Sequence, residues 1–177
     1  MLDAIRTRRS IRHYDERPIE PAKIEQLQEA MLRAPSSRNL KPWRFVFVTD
    51  PELLRWLSRA KPSFAEWIGE AALGVVVCGD SSVSDCWIED CSIAATFLQL
   101  AATELGLGSC WIQVRARQDE DGEPAEDRVR QVLGLPNGLS VLCMISVGYP
   151  AEEKAPRDRA ALAWEKVDRQ PEGSRSE

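Results

Sequence analysis

Histidine is nearly missing from this 177-residue chain: His13 stands alone. Cysteine is scattered rather than grouped, with Cys78, Cys86, Cys91, Cys110 and Cys143 odd in number and without a CxxC pair. Only Cys86 and Cys91 are close in sequence, so neither a zinc site nor a disulfide framework has its ligands, and buried free thiols are expected instead. The glycine loops that cradle nucleotides are missing too, since neither GxGxxG nor GxxxxGK[ST] occurs. Gly106-Leu107-Gly108 follows a predicted helix and precedes a predicted strand, the reverse of the order a Rossmann site requires. No apolar run exceeds Ala71 to Cys78, far less than a membrane span, and the start from Met1 to Arg6 has no signal-peptide stretch. The chain therefore reads as a cytoplasmic protein without a membrane partner, and it has no internal repeats.

Positive charge is in deficit, with 23 Lys and Arg against 28 Asp and Glu, which argues against general attraction to nucleic acid. Its distribution is uneven, however. Arg6, Arg8, Arg9, Arg12 and Arg17 all fall in the first seventeen residues. In an acidic protein, such a cluster points to one specific small anion. The hydrophobic share of 44% beside 29% charged residues is ordinary for a single soluble domain.

Periodicity supplies the elements. A short helix is expected over Leu2 to Thr7, and another from Pro21 with Ile24, Leu27, Met31 and Ala34 on one face. Residues 44–49 read as a buried strand, and Asp50-Pro51-Glu52 opens a helix that Lys61-Pro62 stops. Ser63 and Glu66 have capping-box spacing for a short helix over 64–70, before a strand at Leu73 to Cys78. The longest helix is expected over 85–105, closed by Gly106, with Ala94-Ala95 and Ala101-Ala102 offering a close contact to a second copy. Strands at 109–114 and 140–147 flank a helix over 124–133 that ends at Gly134. From Ala151 the chain turns polar, and 168–177 reads as a disordered tail. This alternation implies an α/β or α+β domain, spanning about 1–167, with a sheet covered on both faces.

Three polar constellations remain outside the predicted core. In Arg8-Arg9-Ser10-Ile11-Arg12, guanidinium forks and a hydroxyl can hold a phosphomonoester without a glycine loop, while Ile11 points to the core if the segment is extended. Taken alone, such a run is ordinarily a solvated charge cluster. Pro35-Ser36-Ser37-Arg38-Asn39-Leu40-Lys41-Pro42-Trp43 offers the donors and acceptors that a polar heterocycle needs, or is simply a turn. Gly106-Leu107-Gly108-Ser109-Cys110-Trp111-Ile112 would let a flat ring approach the backbone, besides serving as a helix cap.

Together and in this order, with Gly148-Tyr149-Pro150 and the basic segment from Lys154 to Arg159, these constellations resemble the nitroreductase family over about residues 2 to 167. The resemblance implies an α+β fold, a three-layer α/β/α sandwich with a central mixed sheet, built as a domain-swapped homodimer with FMN at the subunit interface. By matching position, Arg8, Arg9 and Ser10 become phosphate and ribityl anchors, with Arg157 and Arg159 as a C-terminal phosphate-binding pair. Arg12 takes the place of a cation beside N1 and O2 of the flavin, where it would stabilise charge developing on reduction. Pro35, Ser36, Ser37, Asn39 and Lys41 match the loop that reaches the cofactor from the partner subunit. Ser109 and the Gln113 and Val114 amides match the segment passing the ring edge.

The chain departs from the family pattern at Lys41, where glutamine is usual, and at Thr96-Phe97, where Gln-Asn is common. It is also short, with little room for helices that would roof a pocket. The implied activity is hydride transfer from NAD(P)H through flavin N5 to a small acceptor such as a nitroaromatic or quinone, with no amino acid acting as acid or base. The alternatives are specialised flavin chemistry on a dedicated metabolite and a flavin-binding module without turnover.

Overall fold

A computed structural model describes residues 1–169. The expected tail from 170 onward lies outside the described residues. In chain order the helices are α1 (Leu2–Thr7), α2 (Pro21–Leu32), α3 (Pro51–Leu57), α4 (Trp87–Glu104) and α5 (Ala125–Leu133). The strands are β1 (Trp43–Val48), β2 (Leu73–Gly79), β3 (Gly108–Gln113) and β4 (Ser140–Gly148). No helix among the described residues is long and apolar enough to cross a membrane.

The strands lie in the order β1-β2-β4-β3. Apolar residues run through the two central strands, β2 and β4, because helices cover both sides of the sheet. On one face Leu73, Val75, Val77, Ile145 and Val147 meet Leu27 and Met31 of α2 and Cys91, Ala94, Ala95 and Leu98 of α4. On the other, Val76, Cys78, Ile112 and Met144 meet Leu54 and Leu57 of α3 and Val129 of α5. This is the expected α+β sandwich of three layers. The sheet expected as mixed pairs antiparallel through all four strands. Parallel pairing among the described residues is confined to an isolated bridge between Ser10 and Ser109. Between β2 and β4 the register steps from Val77–Cys143 to Cys78–Val141, leaving Leu142 as an extra residue that bends the strand at a bulge.

Caps explain several boundaries. The Asp50 carboxylate accepts from the amides of Glu52 and Leu53 at the start of α3, and Gly134 ends α5 in the left-handed conformation. Other expectations are corrected. The capping box at Ser63 does not form, because Phe64 takes φ 62° and breaks the helical path. Glu66 accepts from the Ala65 amide instead, and only a 3-10 turn at Glu66–Ile68 follows. The helix expected to run to Lys61-Pro62 ends at Leu57. The strand read as buried, β1, is a half-covered edge in which only Val48 is buried. Ala94, Ala95 and Ala102 are fully buried in this chain's own core, so those alanines serve packing against the sheet rather than a second copy. All five cysteines are free thiols, and all but Cys86 are buried.

Candidate flavin-phosphate groove

The segment after α1 is extended and is laid along the edge of the sheet by two close approaches. A Cβ on Gly108 would stand 2.7 Å from Ile11, and one on Gly148 would stand 2.8 Å from the Tyr14 ring. These glycines face each other across β3 and β4, so their missing side chains make the seats for Ile11 and Tyr14. Ile11 does point to the core, as its extended setting predicts, and its amide donates to Ser109 O at 3.0 Å. The small residue at 108 therefore admits an isoleucine rather than a flat ring. Tyr14 Oη lies 2.6 Å from the Ile11 carbonyl and 2.7 Å from Ser146 Oγ, and burial pushes this phenol's pKa well up.

The chain leaving β4 then zips back along the same segment. The Asp15 amide donates to Tyr149 O, and the Ala151 amide donates to His13 O. Beyond that, Glu152 Oε1 accepts from the Arg12 amide at 2.6 Å and from Lys154 Nζ at 2.9 Å, while Lys154 also donates to Ser10 O at 2.8 Å. Burial alone would raise the Glu152 carboxyl, but the Arg12 and His13 amides and the Lys154 ammonium outweigh it and hold it low. The Arg9 guanidinium donates to Ala155 O.

Zipping the two ends of the chain together encloses a groove of about 1050 Å³ that holds Arg6, Arg8, Arg9, Arg12, Lys154, Arg157 and Arg159 beside Ser10, with Leu2, Ile5, Leu162 and Trp164 as its apolar wall. No carboxylate is among the lining residues. Arg6 and Lys154 have ion-pair partners in Asp3 and Glu152, but Arg8, Arg9, Arg12, Arg157 and Arg159 pair with no carboxylate among the described residues. Five uncompensated guanidinium groups converging on one groove create a site for a polyvalent small anion. Arg12 also lies over the Trp67 ring, 4.9 Å from its centroid. Ser109 Oγ, buried where Ser10 bridges β3, has no hydrogen-bond partner, and a buried orphan hydroxyl is an unused donor and acceptor. Burial pushes the nearby Cys110 thiol upward, partly offset by Arg12, so it is poorly suited to act as a thiolate.

The sequence-derived residues thus divide. Arg8, Arg9, Ser10, Arg12, Arg157 and Arg159 line one groove, although nearly 150 residues separate the two arginine groups. Pro35, Ser36, Ser37, Asn39 and Lys41 are not in its lining. Their loop is tied instead to the start of α4: the Ser37 amide donates to Asp90 Oδ1 at 2.7 Å, and Arg38 pairs with Asp85. Arg38, Asn39 and Lys41 all have positive φ, at 51°, 59° and 51°, a costly conformation for side-chain-bearing residues that is tolerated where a loop has a task. At the far end of β3, Gln113 is held by Trp111 Nε1 and the Arg115 carbonyl. Val114 is fully buried and gives its amide to Leu142 O.

Arg6, Trp67, Glu152, Lys154 and Trp164 were not singled out as site residues from the sequence. Two of them carry a signal, Arg6 as a member of the N-terminal arginine cluster and Lys154 as the first residue of the basic C-terminal segment. The others depend on which segments the fold brings side by side.

Comparison with known proteins gives this geometry a lineage. The profile of the Nitroreductase family matches residues 5–77 and 79–149. A protein of Archaeoglobus fulgidus, provisionally named an NADH dehydrogenase/NAD(P)H nitroreductase, is 39% identical over 157 residues, covering 86% of this chain and 87% of its own. An NADH dehydrogenase of Thermus thermophilus is 30% identical, covering 88% of this chain and 89% of its own. Among solved structures, an FMN-dependent nitroreductase from Clostridium difficile superposes with a TM-score of 0.93 at 41% identity, covering 97% of this chain and 99% of that one. Sequence and fold agree along nearly the whole length, and the chain belongs to the nitroreductase family.

Proposed function

We propose that the chain is an FMN-dependent NAD(P)H oxidoreductase working as a homodimer. The observation that carries this reading is the groove in which five arginines without carboxylate partners meet Ser10. A phosphomonoester presents a tetrahedral, multiply charged oxygen set that guanidinium forks grip two oxygens at a time, and the Ser10 hydroxyl in the groove wall suits a polyol beside it. FMN bound there would supply hydride transfer from NAD(P)H at N5 to a small acceptor, with nitroaromatics and quinones as the expected classes. Arg8, Arg9, Arg157 and Arg159 bind and orient, and Arg12, steadied against Trp67, supplies a fixed cation beside the ring. The Gln113 and Val114 end of β3 is assigned to the ring edge, with the Val114 amide having to leave Leu142 if it is to serve there.

The dimer is inferred from what one chain leaves unfinished. The strained loop at 35–41 presents polar groups away from its own groove. Leu2 and Ile5 of α1 and Ile93 and Phe97 of α4 expose large apolar surface of the kind an interface covers. Under this reading the partner's loop completes the site. Five unpaired thiols suit a reducing compartment, and we assign the enzyme to the cytoplasm. The test is direct: purified protein reconstituted with FMN should sediment as a dimer and lose its yellow absorbance on anaerobic addition of NADH or NADPH. Persistence of the colour with both donors would overturn the reading.

A further inference from the structure

Resting on the FMN reading above, we infer that Trp164 is a positioning residue that holds Arg159 ready for the phosphate end of the groove. Residues 155–169 are exposed throughout, and an arginine on such a segment would normally wander, losing affinity to the entropy of ordering it. Arg159 does not. Asp158 Oδ1 accepts from the Ala160 amide at 3.0 Å and caps a single 3-10 turn at Arg159–Ala161. The chain reverses, and a second turn at Trp164–Lys166 folds the indole back over the first.

The indole then grips Arg159 at both ends. Its Nε1–H donates to the Arg159 carbonyl at 2.9 Å, and its ring centroid lies 4.9 Å from the guanidinium carbon. Holding a cation by an aromatic face differs in kind from holding it by a carboxylate. A carboxylate would occupy the N–H edges and neutralise the charge, whereas an aromatic ring carries no net charge and leaves the guanidinium's positive charge uncompensated for phosphate oxygens. Arg159 pairs with no carboxylate among the described residues, and Trp164 itself lines the groove. Trp164 is half exposed, at 49%, so it is not needed to fill the core. Its effect should fall on the phosphate and not on the ring.

The experiment titrates full-length wild type, W164A, W164F, R159A and the W164A/R159A double variant with FMN and, separately, with riboflavin, which lacks the phosphate. W164A should weaken FMN by about fivefold while leaving riboflavin affinity unchanged. W164F, which keeps a ring but not the N–H, should recover part of the loss. In the R159A background, W164A should cost little more, because the two residues act through one guanidinium. Equal losses for FMN and riboflavin, an unaffected FMN affinity, or fully additive losses in the double variant would each overturn the inference. If wild type binds FMN no better than riboflavin, it is the phosphate assignment of the groove that fails.

Discussion

The groove and the 35–41 loop are both polar, both basic and both tied down, yet they are built on opposite principles. The groove is made from segments far apart in the chain, Arg8 to Arg12 and Lys154 to Arg159, joined by backbone bonds between residues 13–15 and 149–151. Its charges converge, and one chain suffices to assemble them. The loop is made from neighbours in sequence, held in a strained path by Asp90 and Asp85, and its groups point to nothing in the same chain's groove. A site with a convergent half and an unaddressed half is what a shared dimer interface would require.

The largest expected effect breaks the convergent half. Arg8→Ala combined with Arg157→Ala removes two charge-assisted contacts worth about 1.5–3 kcal/mol each. FMN affinity should drop by about a hundredfold or more while riboflavin affinity changes little, as read by flavin fluorescence. Next comes the seat beneath the arginines. Gly108→Ala places a methyl 2.7 Å from Ile11, and overpacking of this kind costs about 1–3 kcal/mol. Urea denaturation should show that loss, together with weaker FMN binding as the arginine segment lifts from β3.

The loop half responds differently. Asp90→Ala leaves the Ser37 amide without its acceptor, a local cost of about 1 kcal/mol. Hydrogen exchange should quicken over 35–41, and FMN and riboflavin should weaken together, in contrast with the arginine pair. A phosphate-selective loss in this variant would mean that the loop also serves the groove.

The smallest effect concerns the zipper itself. The Glu152 carboxyl is held below its ordinary value of 4.5, so its contribution to stability is present in full above that value and fades as pH falls through the depressed folded value. Denaturation midpoints of wild type should exceed those of Glu152→Gln near neutrality, and the two should converge as pH falls through the depressed folded value. A gap that stayed constant with pH would show that the charge on Glu152 does not matter to the zipper.

Much of this was legible without coordinates. The runs at 73–78 and 140–147 read as strands because both faces of the sheet are covered, and α4 and α5 read as helices with glycine at or just beyond their ends. The arginine cluster stood out against an acidic background, and family resemblance linked it to Arg157 and Arg159. Other features left no periodic trace. The left-handed Phe64 defeats a capping-box pattern at Ser63. The alanine pairs of α4 carry the same composition whether they face a sheet or a second copy. Gly108 reads equally well as room for a ring or as room for Ile11. In each case a non-local neighbour decides, and spacing says nothing about which neighbour comes.

What the sequence by itself determined was most of the elements, the covered sheet and the unequal placement of charge, because propensity, burial pattern and net charge are properties of local or summed composition; the family came separately, from the resemblance of its ordered motifs. Only the tertiary structure decided that arginines from the two ends of the chain share one groove, that the 35–41 loop stands apart from it, and that Trp164 closes on Arg159. The shared groove depends on glycine seats and on backbone pairing between the first and last thirds of the chain, the loop on ties to the start of α4, and the Trp164 clasp on a local reversal that no periodic pattern marks; such contacts are chosen by the packed fold as a whole.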